Sequence, residues 1–331
     1  MNTFIKAISY YLPEKILTNE DLVRDYPEWD AEKVAKKVGI LERHIATEDE
    51  TAGDMAVKAA KNLFAEYDLS AENIDFVLLC TQSPDYHLPS TACVIQDKLG
   101  IPTSAGALDF NLGCSGYEYG LSLAKGLVTG GMAKNVLLLT AETYSKYIHP
   151  KDHGDRSIFG DGASATLVSV DGKYKIGEFV FGTDGKKYED LIVRTGCARH
   201  PEKNGGIDKD EGGYIKAPDY LYMNGSEIFN FTLDVVPRMV DELLAKNNLK
   251  KEDIGQFIFH QANSFMLSTI RKICHFDKDK FLIDMEHTGN TVSNTVPIAL
   301  KNYLQNVGTA DKIMLAGFGV GLSWAGCVIS K

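Results

Sequence analysis

A layered α/β architecture follows from two features of this 331-residue chain: nearly continuous apolar runs at 76–80, 136–140, 257–259 and 312–316, and helical patterns between them. Strands of this kind are buried on both faces, so their sheets must be covered by helices on either side. The helical patterns fall at 54–67, 90–99, 117–129, 224–247, 264–274 and 296–306. A third feature is an internal echo. Residues 69–80 line up with 249–260 at an offset of 180, Leu108-Asp109 with Ile283-Asp284 at 175, and 136–139 with 313–316 at 177. Offsets that keep chain order and nearly keep length predict a duplication, with pseudo-equivalent halves at 1–172 and 173–331.

Taken in order, residues 1–7 read as a strand, without the charged segment, apolar run and cleavage site of a signal peptide. No apolar window reaches eighteen residues, so no membrane span is expected. The 44% apolar content suits one large core or two ordinary ones. With 35 basic against 45 acidic residues, a net charge of −10 and no basic cluster longer than a pair, nucleic-acid binding lacks electrostatic support. The segment 154–163 has phosphate-loop-like glycine spacing but no Lys-Ser/Thr ending, and reads as a structural turn. Residues 182–218, rich in Gly, Asp and Lys, read as a surface excursion that could cover a site. The six cysteines show no pairing spacing, which argues against a disulfide framework or zinc site and places the chain in a reducing cytoplasm. Cys80, Cys93, Cys274 and Cys327 are expected to be buried small hydrophobes, and Cys197 a loop thiol. The other histidines lack metal-ligand spacing, so neither a metal nor a cofactor is implied.

Cys114 stands apart. In Leu112-Gly113-Cys114-Ser115-Gly116 an apolar strand pattern breaks at a glycine and a helix begins. Unpaired N–H groups and the positive end of the helix dipole there are expected to favour thiolate. His260 ends a second apolar strand, and Asn290, after Gly289, is expected to end a third. Together, three such strand ends predict one assembled site, with Cys114 as nucleophile for an acyl group. Backbone N–H groups at Cys114 and in the glycine-rich turn 317–321 can stabilise the oxyanion. Neutral His260 and the Asn290 amide can each donate one hydrogen bond to a second carbonyl oxygen.

The sequence resembles the β-ketoacyl-[acyl carrier protein] synthase III family over nearly its whole length. The resemblance is carried by Gly39-Ile40-Leu41-Glu42-Arg43-His44, Pro89-Ser90-Thr91-Ala92-Cys93, Cys114-Ser115-Gly116, Phe159-Gly160-Asp161-Gly162-Ala163, Met223-Asn224-Gly225, His260-Gln261-Ala262-Asn263, Gly289-Asn290-Thr291 and the 317–324 segment. It implies the thiolase fold, a five-layered αβαβα core of two duplicated halves, and a homodimer. It also implies acyl transfer from a coenzyme A or carrier-protein thioester to Cys114, with the amides of Cys114 and Val320 as oxyanion hole. Decarboxylative Claisen condensation with malonyl-acyl carrier protein would follow, the thioester carbonyl lying between His260 and Asn290 and Phe318 beside the departing carboxylate. By the same resemblance Leu88 crosses the dimer interface to close the partner's acyl pocket, and Arg271 and Lys272 are candidates for docking the acidic carrier.

Several positions depart from the family pattern. Val320 replaces a usual glycine and Lys37 a common arginine, Phe265 replaces a basic docking residue, and Trp29 is out of register with the family's adenine-stacking tryptophan. Leu88 is smaller than the common phenylalanine, which predicts room for a longer or branched acyl group. These changes, with those in 292–297, suggest a specialised member. Two other readings compete: a same-fold acyltransferase to an oxygen or nitrogen acceptor, and a Cys-His-Asn thioester hydrolase.

Overall fold

The structure, a computed structural model, describes residues 2–26, 28–203, 205, 208–209 and 215–331. The strands that form the main sheet are β1 (Phe4–Tyr11), β2 (Phe76–Cys80), β3 (Gly106–Phe110), β4 (Asn135–Glu142), β5 (Gly162–Ser169), β6 (Tyr174–Thr183), β7 (Gln256–Phe259), β8 (Lys312–Gly319) and β9 (Ser323–Ser330). Their spatial order is β7-β8-β9-β6-β1-β5-β4-β2-β3. The described helices of eight residues or more are α1 (Ala31–Val38), α2 (Ala52–Tyr67), α3 (Thr91–Lys98), α4 (Gly116–Thr129), α5 (Gly225–Lys246), α6 (Ser264–Ile273) and α7 (Thr295–Asn306).

Alternation along the buried strands creates the layers. Val77, Leu79, Leu137 and Leu139 turn toward α2, where Met55, Ala56 and Leu63 meet them. Their neighbours Leu78, Val136 and Leu138 turn the other way, onto Tyr117 and Leu121 of α4 and Leu300 of α7, which Ile258, Ile313 and Leu315 reach from the second run of strands. Phe257, Phe259, Met314 and Ala316 face α5 and α6 on the far side. The sequence of layers is therefore helix, sheet, helix, sheet, helix, as expected for the thiolase fold. Each fully buried Leu, Ile or Phe contributes about 1.5–3 kcal/mol, so the central helix pair is held by apolar contact with both runs.

Outward from the centre, β1, β5, β4 and β2 pair antiparallel, antiparallel and parallel, and so do β6, β9, β8 and β7. Two residue pairs, Phe4 with Lys175 and Ile5 with Tyr174, join the runs. The counterpart of β3 is reduced to one parallel bridge, Phe257 with Phe281, so Asn290 does not end a strand as expected. It follows a turn instead, because the residues before it, 282–289, carry no strand ladder.

Helix ends match local chemistry. Thr51 and Asp54 form a capping box on α2, and Asn263 caps α6 by accepting from the Met266 N–H at 2.9 Å. Gly39, at φ 74°, ends α1, and a Cβ there would lie 2.4 Å from Ser264 Cβ, so glycine allows α1 to touch the start of α6. Strands β5, β6 and β9 have no apolar run to announce them, since β5 reads Gly-Ala-Ser-Ala-Thr-Leu-Val-Ser though buried throughout. Cys93 is exposed, contrary to expectation: it lies on the outer side of α3, 3.1 Å from Ser90 Oγ. Part of the 182–218 excursion lies outside the described residues.

Candidate active site

Cys114 sits between β3 and α4, 7% exposed. Its sulfur looks onto the end of β8, where a Cβ on Gly319 would lie 2.8 Å from Sγ, so only glycine fits. The backbone N–H groups of Val320 and of Cys114 itself lie near enough to the sulfur to favour its charged form. Burial nevertheless pushes the thiol up to about 12, with the Val320 N–H opposing the rise and Glu142 adding to it. The expectation of a helix-stabilised thiolate fails in the free protein, because desolvating a negative sulfur costs more than these N–H groups return.

His260 continues β7 by one residue, its N–H donating to Ala316 O at 2.8 Å. The buried imidazole meets Thr295 Oγ1 through Nδ1 at 2.7 Å. Burial lowers the ring to about 3, so it is neutral at ordinary pH. Phe318 stands edge-on to it, with ring centroids 5.8 Å apart. Asn290 is tied to the loop before β5: its N–H donates to Ile158 O at 2.9 Å, and its carbonyl accepts from Gly160 N–H at 3.0 Å. Its side-chain Oδ1 accepts from Val292 N–H at 2.9 Å, which fixes the amide and leaves Nδ2 as the presented donor. Val292 reaches this position at φ 58°, a left-handed conformation that a β-branched residue adopts only under constraint.

Shared neighbours link the segments that carry the three side chains. Val292 links Asn290 to the Cys114 turn, since a Cβ on Gly113 would meet Val292 Cγ1 at 3.3 Å and Val320 Cγ1 at 2.5 Å. Strand β8 supplies Ala316 to His260 and Gly319 to Cys114. Glu142, at the end of β4, ties the surrounding loops: Gln82 N–H donates to both carboxyl oxygens at 3.1 Å, Ser83 Oγ to one at 3.0 Å, and Ser293 Oγ to the other at 3.2 Å. Burial raises this carboxyl to about 8. Sequence reading missed Glu142, Thr295 and Val292. An acid closing an otherwise apolar strand was the available signal for the first; the others had none.

A cavity of about 1020 Å³ lies beside this cluster, lined by α1, the start of α5 and α6, and the loop before β5. Cys114, His260 and Asn290 do not line it; Ile158 does, and accepts the Asn290 N–H. Trp29, Lys37 and Phe265 all border it, so Trp29 reaches the mouth in space although out of register along the chain. Phe265 stacks on Phe229 at 5.4 Å. Arg271 and Lys272 lie at the other end of α6, with Arg271 Nη1 donating to Phe276 O at 3.2 Å. Leu88 is 83% exposed on the loop after β2.

Residues 108–185 match the family model of 3-oxoacyl-[acyl-carrier-protein (ACP)] synthase III, and residues 244–331 match that of its C-terminal part. The chain is 37% identical over 331 residues to a β-ketoacyl-[acyl-carrier-protein] synthase III of Clostridium perfringens strain ATCC 13124, covering 99% of each. A crystal structure of a 3-oxoacyl-(acyl-carrier-protein) synthase III superposes with TM-score 0.97 at 52% identity over the full length of both chains. A 3-oxoacyl-(acyl-carrier protein) synthase of Burkholderia xenovorans LB400 gives 0.92 at 34%, covering 100% of this chain and 94% of that one. By length, identity and fold, the chain belongs to the β-ketoacyl-[acyl-carrier-protein] synthase III family.

Proposed function

We propose that this protein is a ketoacyl synthase working in two steps. The Cys114 sulfur displaces the thiol of an acyl thioester to form acyl-cysteine. A malonyl thioester on acyl carrier protein then loses carbon dioxide, and the resulting carbanion attacks the acyl-cysteine carbonyl, releasing the sulfur and giving a 3-oxoacyl thioester two carbons longer. The observation that carries this reading is the arrangement of donors: a histidine kept neutral by burial and an asparagine whose oxygen is already bound to Val292 N–H. Thr295 Oγ1 occupies Nδ1, which leaves Nε2 as the ring atom facing the substrate carbonyl, and the proposal places the imidazole proton there. Two neutral donors suit an enolate oxygen.

A Cys-His-Asn hydrolase needs the asparagine to orient the histidine and the histidine to act as base near neutrality. Here Nδ1 is held by Thr295, and the ring titrates near 3. That arrangement favours condensation over hydrolysis, and an oxygen or nitrogen acceptor would leave the decarboxylation donors unused. The test is to incubate the protein with an acyl-thioester panel and malonyl-acyl carrier protein. Carbon dioxide release with a chain longer by two carbons is expected; free acid without carbon dioxide would overturn the reading.

The finer roles belong to the same proposal. The amides of Cys114 and Val320 form the oxyanion hole, and Phe318 shields the departing carboxylate. The cavity beside the site takes the acyl donor's arm, from coenzyme A or carrier protein, and Arg271 and Lys272 meet the acidic carrier. Residues 1–172 and 173–331 are the two duplicated halves, a division supported by their matching strand order. A homodimer is supported by the unpaired edge of β3 with exposed Leu108, near the exposed loop carrying Leu88, where Leu88 would close the partner's acyl pocket. All six cysteines are free, which fits a cytoplasmic location. No described helix is long and apolar enough to cross a membrane.

A further inference from the structure

The first turn of α4 contains an arrangement that neither the family resemblance nor the condensation scheme uses. Ser115-Gly116-Tyr117-Glu118 has the Ser-x-x-Glu spacing of a capping box, in which each side chain would bond the other's backbone N–H. The box is not closed. Ser115 Oγ pairs with Ser323 Oγ at 2.7 Å instead, and α4 has no side-chain cap. Glu118 is fully buried, and neither carboxyl oxygen has a hydrogen-bond partner.

Its position relative to the nucleophile is well defined. A Cβ placed on Gly317 would lie 2.4 Å from Glu118 Oε2 and 2.4 Å from the Cys114 carbonyl oxygen, so the carboxyl faces that carbonyl across the space the glycine leaves open. Among the described residues no donor reaches the Cys114 carbonyl: the nearby backbone bonds run from Gly116 N–H to Gly113 O and from Tyr119 N–H to Ser115 O. Two acceptors facing each other in a buried site repel one another, and each forfeits a hydrogen bond. A proton on the carboxyl removes both penalties. Burial without a cationic partner independently drives Glu118 well above the usual carboxylate range.

We propose that Glu118 is a positioning residue that stays protonated and donates its O–H to the Cys114 main-chain carbonyl, fixing the turn that aims the nucleophilic sulfur. The inference rests on Cys114 being the nucleophile. Gly317 is part of the device, because any side chain there would occupy the space through which the two groups meet.

The experiment compares full-length wild type, Glu118→Gln and Glu118→Leu. Three properties are read: the rate of Cys114 self-acylation by intact-protein mass, the melting temperature, and the wild-type-minus-Gln infrared difference spectrum. Glu118→Gln keeps a neutral donor and is expected to acylate within about twofold of wild type. Glu118→Leu is expected to melt no lower than wild type yet acylate about tenfold more slowly, the scale of one lost hydrogen bond. The difference spectrum is expected to show the carbonyl band of a protonated carboxylic acid. Wild-type acylation by Glu118→Leu, Gln as slow as Leu, or a carboxylate band in place of the acid band would overturn the proposal. If Glu118→Leu does not fold, the Gln rate and the infrared band still decide. If wild type takes no acyl group at all, the nucleophile assignment fails instead, and the band still tests Glu118.

Discussion

The turns entering the two central helices occupy corresponding places yet present opposite chemistry. Before α4 the chain presents a sulfur that burial holds as a thiol, with a buried acid behind it that faces the Cys114 carbonyl. Before α7 it presents a carboxamide whose oxygen is pinned by Val292 N–H, with Ser293 bonded to Glu142. Both turns lie against β8 or the loops beside it. One presents its reactive group without a fixing side-chain bond, whereas the other holds its carboxamide fixed in direction. On the proposed reading, matching strand order supplies equivalent positions, and local hydrogen bonding decides which serves as nucleophile and which as donor.

The sharpest break in this comparison comes from removing each presented group. Cys114→Ala should abolish self-acylation, seen as no mass increase with any thioester. His260→Ala and Asn290→Ala should still acylate, but lose about 10²–10³ in decarboxylation, the scale for losing one preorganised donor. Equal loss of both steps would show that the turns do not divide the work.

A second test uses pH. Since the thiol lies at about 12 and the imidazole at about 3, neither titrates between pH 7 and 9. Alkylation of Cys114 by iodoacetamide should therefore rise steadily over that interval as the thiolate fraction grows, by somewhat less than about tenfold per unit because Glu142, at about 8, ionises within it and raises the thiol. A plateau near pH 7 would mean that the helix terminus outweighs burial after all.

Thr295→Val, which removes the hydroxyl on His260 Nδ1 and frees the ring tautomer, should lower decarboxylation about tenfold while acylation is unchanged. The smallest effect concerns Glu142. Its folded value of about 8 exceeds the usual carboxylate value, so the folded state binds the extra proton and stability falls as pH rises from about 4 to 8. Glu142→Gln should flatten that part of the melting-temperature profile.

Much of this was legible from residue order alone. Apolar runs marked β2, β4, β7 and β8 because strands covered on both faces need no polar alternation. Motif spacing named Cys114, His260 and Asn290. Strands β5, β6 and β9 went unread because Ala, Ser, Thr and Gly pack closely without raising hydrophobicity, and α1 was hidden by its charged outer face. The capping-box spacing at Ser115 would have suggested an ordinary helix start, whereas Ser323, more than two hundred residues away, takes the serine.

The sequence by itself determined the layered class and singled out the three side chains proposed to react, since these depend on local periodicity and on residue chemistry. Tertiary structure alone decided their protonation: the thiol kept uncharged, the imidazole neutral, and Glu118 left facing a carbonyl. Charge state depends on desolvation and on which donors arrive from distant segments, and neither is encoded in the residues that carry the charge.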